Sequence, residues 1–357
     1  MLTDESSLLP GIPQSQVETV IADLLSNFWV LLLGKVLIIA TLVALLGMVL
    51  AFGEMKLSAK MQARMGPYFA GGRWGWAQLV ADGVKFFQKE DLIPENADRG
   101  AFKMAPVLVL VGTMALFVVI PFGPGLIVRD LDVGIFYALA ISAISTIGIL
   151  VAGWSSANKY SLIGGLRAAG QLIAYELPLV LAVVGVVIMA GTMSMEGIVR
   201  AQAEWFGVGG IGLPFIVPQF IGFAVFFVAS LAELGRIPFD MPIAESELVM
   251  GYVTEYSGFR FAFFFLAEYA NMFSLAAIAA TLFLGGYWIP FVSDDVLVFI
   301  GPLVLAAKVS LLLLVMYLFR WTFPRFREDQ LQTLAWKWLI PIALANIVVT
   351  GIFKVVL

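Results

Sequence analysis

The sequence predicts an all-α, polytopic membrane protein with about eight transmembrane helices, plus amphipathic helices on the cytoplasmic face. Hydrophobic residues make up 61% of the chain and mean hydropathy is +0.98. Charged residues fall to 13%, against roughly 25% in an average soluble domain. Apolar runs long enough to cross a hydrocarbon core of about 30 Å lie near residues 28–52, 104–121, 133–153, 171–190, 214–232, 263–286, 296–319 and 336–356.

The stretch before the first run holds Asp4, Glu5, Glu18 and Asp23 and no basic residue. A cleaved export signal starts with positive charge, so residues 1–27 are expected to stay as an outer N-terminal segment ahead of a single domain, 28–357. The segments between runs at 53–103, 154–170, 233–262 and 320–338 carry most of the 21 Lys and Arg, whereas the alternate loops and both ends are acid-rich. The positive-inside rule makes the first set cytoplasmic and puts both termini outside a cell membrane. The acidic pI averages two differently charged faces and does not point to nucleic acid.

What the chain lacks limits its chemistry. With 0 Cys and 0 His, it has no thiolate for an iron–sulfur cluster, no imidazole for haem and no ordinary zinc site. Disulfides and Cys or His nucleophiles are excluded too, and no Gly-rich phosphate loop follows a strand. Any electron has to come from a partner.

Residues 53–103 are long for a connection within a bundle. From 76 to 89, Trp76, Leu79, Val80, Val84, Phe86 and Phe87 recur at roughly helical spacing, with Gln78, Asp82, Lys85 and Lys89 opposite. That predicts a helix lying at the interface; an anchor that binds only lipid gives the same pattern. Glu54, Lys56, Lys60 and Arg64 precede it at spacing that suits lipid headgroups.

Acids in and beside the apolar runs are the candidate functional residues. Arg167 and Gln171 lead into the fourth run, where Glu176 precedes Pro178; an ionised acid within a bilayer costs about 3 kcal/mol on insertion scales, and a protonated Glu hydrogen-bonded between helices fits the position as well. Glu268 repeats the pattern beside Asn271, and Lys35 and Lys308 add cations within apolar runs. Between them, Glu233, Asp240, Glu245, Glu247 and Glu255 crowd a segment broken by Pro238, Pro242 and Gly251 and interleaved with Phe239, Tyr252 and Tyr256. Carboxylates in low-dielectric surroundings exchange protons nearer neutral pH, and such a broken segment can line a cavity. A solvated helix start, with Asp240 as N-cap and Glu245 and Glu247 in the first turn, is the plainer account.

Several motifs, in order, resemble one family. QARMGP at 62–67, ADGVKFFQKED at 81–91, NKYSLIGGLRAAGQLIAYE at 158–176, PFD at 238–240 with ESEL at 245–248, EYSG at 255–258 and FFFLAEYANM at 263–272 are similar to the quinone-chamber subunit of respiratory complex I, the proton-translocating NADH:quinone oxidoreductase, and its hydrogenase-related membrane relatives. The resemblance covers roughly residues 50–340. It departs from the usual pattern at Met55, at Tyr68, Phe69 and Ala70, and at Ile243, where the family frequently has Glu.

The resemblance implies an eight-helix fold with a quinone tunnel entering between helices. It places Arg64, Asp82, Lys85, Phe239 and Asp240 at the quinone chamber or its entrance. Glu176, Glu233, Asp240, Glu245, Glu247, Glu255 and Glu268 fall on a proton-coupling path. Quinone is then a substrate, and flavin and iron–sulfur clusters are expected only in partner subunits of the membrane and peripheral arms. NADH is the commonest electron source; a reduced deazaflavin, ferredoxin or hydrogenase module leaves this subunit looking much the same. An ion-coupled secondary transporter also carries acids on broken helices, but no repeat relates the two halves of this chain. A passive anchor for a dehydrogenase makes the acids incidental.

Overall fold

In the computed structural model, described over residues 27–205 and 212–356, the chain is helical with no strand among the described residues. The expected outer segment lies, apart from Asn27, outside them. Contacts divide the chain into two units, Met1–Leu42 and Val43–Leu357.

Helix α1, Phe28–Met61, starts in the first unit and ends in the second; Asn27 Oδ1 caps it by accepting the Trp29 N–H at 3.0 Å. A tight loop follows, in which Lys56 Nζ donates to the Pro67 carbonyl. Gly75 allows the turn: at φ +66, a Cβ there would lie 2.2 Å from Pro67 O.

Helix α2, Gln78–Gln88, is the amphipathic element expected at 76–89, and none of its residues is buried. Its ring face meets a later helix, Gly258–Phe283, through Phe86–Phe261 and Phe87–Phe259, with centroids 5.6 and 4.8 Å apart.

Helix α3, Arg99–Leu116, is capped by Asp98, whose carboxylate accepts the N–H groups of Gly100 and Ala101. It packs on α4, Gly134–Ser155, through small residues, which let membrane helices approach closely. A Cβ on Gly148 would stand 2.5 Å from Val109 Cγ2.

Helix α5, Lys159–Ala190, begins with Asn158 as N-cap, continues through Pro178 and ends at Gly191, whose left-handed φ of 73° and N–H bond to Val187 O close the last turn. The stretch 154–170 is therefore helical from Lys159 onward. Helix α6, Met195–Glu204, is short and capped by Ser194.

Helix α7, Phe220–Glu233, has only 14 residues, about 21 Å of rise. The sequence run 214–232 falls short of a full helical span because Pro214 and Pro218 lack the N–H a helix needs. Gln202 Oε1 accepts the Phe215 N–H instead, at 3.1 Å.

After α7 comes the broken acidic segment, with a single turn of helix, α8, Glu245–Leu248, and a 3₁₀ turn at Gly251–Val253. Helix α9, Gly258–Phe283, is the most enclosed of the long helices. Helix α10, Asp294–Thr322, is followed by α11, Glu328–Thr333, a π turn at Leu334–Leu339, and α12, Ile340–Val356. Among the described residues, seven helical runs are long and apolar enough to cross a membrane, and α7 is a shorter apolar helix. The chain is a multi-pass membrane protein.

Candidate functional site

The acidic segment between α7 and α9 is held from several sides. Gln171, on α5, donates its side-chain N–H groups to Ala232 O and Phe239 O at 2.7 and 2.8 Å, fastening the end of α7 to the segment. Gly164, two turns earlier, leaves room for the backbone: a Cβ would lie 2.7 Å from Gly251 Cα and from Tyr252 N. Tyr256 stacks on Phe102 at 4.0 Å and donates to its carbonyl. Burial raises the Tyr256 phenol to about 12, so at neutral pH it remains a hydrogen-bond donor.

At the centre, Glu54 and Arg236 form a buried ion pair, with Arg236 Nη1 at 2.9 and 2.7 Å from the two carboxylate oxygens. Arg320 is a second cation on the same carboxylate. Arg236 Nη2 lies 3.0 Å from Glu268 Oε1, and the guanidinium sits 4.8 Å over the Tyr269 ring. Arg236, Arg320, Glu268 and Tyr269 line a cavity of about 270 Å³ with Asp240, Ile243, Glu245, Tyr252 and Phe265; Glu54 lies behind them, outside its lining. Arg236 Nε and Nη2 find no acceptor in hydrogen-bond geometry among the described residues. Buried donors of this kind are normally satisfied by water, so the cavity is suited to solvent or a polar ligand group.

Two further spaces adjoin it. An apolar groove of about 300 Å³ is lined by Gly47 and Met48 of α1, Asp82, Gly83 and Phe86 of α2, and Phe263 and Phe265 of α9; Phe265 also lines the central cavity. A small space of about 40 Å³ is lined by Gln171 and Glu233 and shares Gly235, Ile243, Tyr252 and Glu268 with the central cavity. Glu233 lies near Ser142, whose hydroxyl donates to the Leu139 carbonyl at 2.8 Å, and is within electrostatic reach of Glu176.

The expected site residues thus fall in different settings. Glu233, Asp240, Glu245 and Glu268 line the central or small cavity, and Glu176 lies within electrostatic reach of Glu233. Asp240 accepts from Arg325 at 2.7 Å; burial raises its pKa, and Arg325 offsets this only in part. Asp240 does not cap α8, where Ala244 holds the N-cap position.

Glu247 pairs with Arg167 at 2.7 Å, and Glu255 accepts from the Asn158 amide. Phe239 is buried between the rings of Tyr175 and Phe326. Asp82 pairs with Lys85 at 3.2 Å on α2. Exposed Arg64 donates to Gln62 and lines a separate loop pocket with Met55, Tyr68 and Phe69. Lys308 does not meet the acids: its Nζ donates to the carbonyls of Leu284, Gly286 and Trp288.

Sequence reasoning missed the cations of the site and one acid. Glu54, read as a headgroup-facing residue, is only 3% exposed. It shares a helix face with Gly47, Ala51 and Ser58, and that line of small residues was the available signal for a packed face. Arg236, Arg320 and Arg325 stood at the edges of apolar runs, where they read as ordinary loop charges. Among the described residues, no group of three or more acids is arranged to hold a metal ion.

A sequence profile described as NADH dehydrogenase matches residues 34–351. The chain belongs to the NADH dehydrogenase family. Bacterial relatives that share one name, as the same subunit of NADH-quinone oxidoreductase, are similar over most of their length. The protein of Anaeromyxobacter dehalogenans (strain 2CP-C) is 46% identical over 89% of this chain and 81% of its own. That of Bacillus cytotoxicus is 46% identical over 92% and 95%, and that of Bacillus cereus (strain B4264) 47% over 89% and 93%. The family match covers α2, the acidic segment and the lining residues of all three spaces.

Proposed function

We propose that this chain is the membrane subunit of a proton-pumping NADH:quinone oxidoreductase in the cell membrane, forming the quinone entrance and chamber and linking quinone reduction to proton translocation. The observation that carries this reading is the adjacency of three spaces that share lining residues: an apolar groove beside α1 and α2, a charged central cavity with Phe265 in common with it, and a small space lined by Glu233 with four residues in common with the cavity. An apolar groove suits an isoprenoid tail, whereas the charged cavity suits a polar headgroup and water. With the Arg-rich segments facing the cytoplasm, both termini lie outside and the groove opens near the inner surface.

Electrons arrive from a peripheral partner, since this chain has no Cys or His to hold a redox centre. Reduction of a quinone takes up two electrons and two protons, and the charge that appears before protonation raises the proton affinity of nearby carboxylates. Asp240, Glu245, Glu268, Glu233 and Glu176 stand in line to respond. Phe239, Glu247 and Glu255 lie on the same segment and hold its shape through the contacts described above, while Arg64, Asp82 and Lys85 belong to the entrance side.

Glu233→Gln in the assembled complex, reconstituted in lipid vesicles, tests the reading. NADH-driven quinone reduction and proton uptake should fall together with assembly intact. Unchanged rates for both would return the acids to a structural role and favour a passive anchor.

A further inference from the structure

Helix α9 ends, away from the central cavity, in a turn that presents oxygen. Gly285 and Gly286 follow Leu284 with φ of +78 and +53, a backbone that residues with a Cβ seldom adopt. The N–H groups of Leu284 and Gly286 both return to Ala280 O, and that of Trp288 to Gly285 O, each at 2.9 Å. With its N–H groups turned back in this way, the turn converges the carbonyls of Leu284, Gly286 and Trp288 on one point. The Lys308 ammonium of α10 occupies that point, at 2.7, 2.8 and 2.7 Å.

Other carbonyls at this helix end are supplied differently. The Gln202 amide donates to Thr281 O and the Ile216 N–H to Phe283 O, both at 2.8 Å. Each is a neutral donor serving α9 at a single carbonyl. Lys308 spends all of its N–H groups on three carbonyls, which leaves none for a carboxylate, and the negative end of the α9 dipole lies on the same side. Backbone carbonyls that together replace a cation's water shell are the chemistry of a monovalent-cation site. Here the cation is tethered to a neighbouring helix.

Both helices run from this point to the central cavity. Glu268 and Tyr269 line it from α9 and Arg320 from α10. Glu268 precedes Leu284 by about 24 Å of helical rise, and Arg320 follows Lys308 by about 18 Å. A shift of one helix along the other at the turn would therefore move Arg320 against Glu268 and Tyr269. We infer that the turn at 284–288 is a monovalent-cation site whose resident is the chain's own Lys308 ammonium, and that its occupancy fixes the register of α9 against α10 where both wall the cavity.

The test uses Lys308→Ala in the assembled complex, in detergent, where an added amine has no proton gradient to collapse. The substitution removes the stem beyond Cβ together with the ammonium, so n-propylammonium is the probe that replaces the lost atoms. The variant should melt about 5 °C below the parent and reduce quinone about tenfold more slowly. About 100 mM n-propylammonium should recover at least half of both losses, because a ligand that binds only the folded state stabilises it by mass action. Tetramethylammonium, equal in charge but without an N–H, should recover neither.

Because the turnover readout rests on the proposed function, melting alone decides whether the turn is a cation site. Equal recovery by the two ions overturns the site, as does no recovery by n-propylammonium or parental melting in Lys308→Ala. Recovered melting with turnover still slow overturns the register role. If Lys308→Ala does not assemble, Lys308→Met keeps the length without charge or N–H groups, and Lys308→Arg keeps both. Assembly of the arginine variant but not the methionine one supports the site, and equal behaviour of the two overturns it.

Discussion

Arg236 places one nitrogen, Nη1, against both oxygens of Glu54, at 2.9 and 2.7 Å, and neither residue is a tenth exposed. Removing one partner of such a pair leaves the other charge buried and uncompensated, which costs about 3–5 kcal/mol. Glu54→Ala strands two arginines, Arg236 and Arg320. The expected outcome is a large loss of assembled complex, read as yield and thermal stability in detergent. Replacing Arg320, the more exposed of the two cations, should be milder.

The apolar groove beside α2 yields a prediction on substrate length. Gly83 lines it, and a Cβ there meets no atom within 4 Å, so Gly83→Trp should fold and fill much of the space. The KM for a long-tailed quinone should rise by about tenfold, the effect of losing roughly 1.4 kcal/mol of binding, whereas a short-tailed analogue should be little affected. Equal effects on both would count against the groove as the tail's route.

Asp240 gives a pH dependence with a definite sign. Burial raises its pKa in the folded protein despite the Arg325 partner. A carboxyl raised above its unfolded value contributes stability that is fully present below the unfolded pKa, near 3.9, and lost as pH rises through the folded value. Asp240→Asn removes this term. The melting temperature of the parent relative to the variant should therefore fall as pH rises through the range just above that of ordinary carboxylates, then level off.

Gly251 has no substitute at its position. Its φ is +57, and a Cβ would lie 1.8 Å from Pro242 O, a backbone atom that cannot swing aside. Gly251→Ala should displace the acidic segment, costing about 1–3 kcal/mol by overpacking in addition to left-handed strain of about 1–2 kcal/mol. Limited proteolysis between residues 240 and 256 should speed up in the variant relative to the parent.

The long spans were legible because nearly twenty apolar residues in a row have few other uses, and α2 because its rings recur at helical spacing. The short helix α7 was not: its run is as apolar as the others, and its length is set by Pro214 and Pro218 and by Gln202, which takes up the freed Phe215 N–H from another helix. The acids were visible since charge in an apolar run is rare. Their cations were not, because pairing depends on which helix ends meet, and Glu54 finds Arg236 across 182 residues of chain. Gln171 shows the same limit: its two backbone acceptors, on Ala232 and Phe239, are set by folding and leave no mark in local sequence.

Helix α5 runs without a break for 32 residues, about 48 Å of rise. Arg167, tied to Glu247, and Gln171, clamped to the acidic segment, sit in its first half, and Glu176 lies a little over one turn beyond Gln171. A rod of that length converts tilt into travel: about 5° at Gln171, roughly 28 Å from the far end, moves that end by about 2.5 Å. Any tilt that starts at the acidic segment would reach α12 at the rod's other end, where Lys354 donates to the Met189 carbonyl.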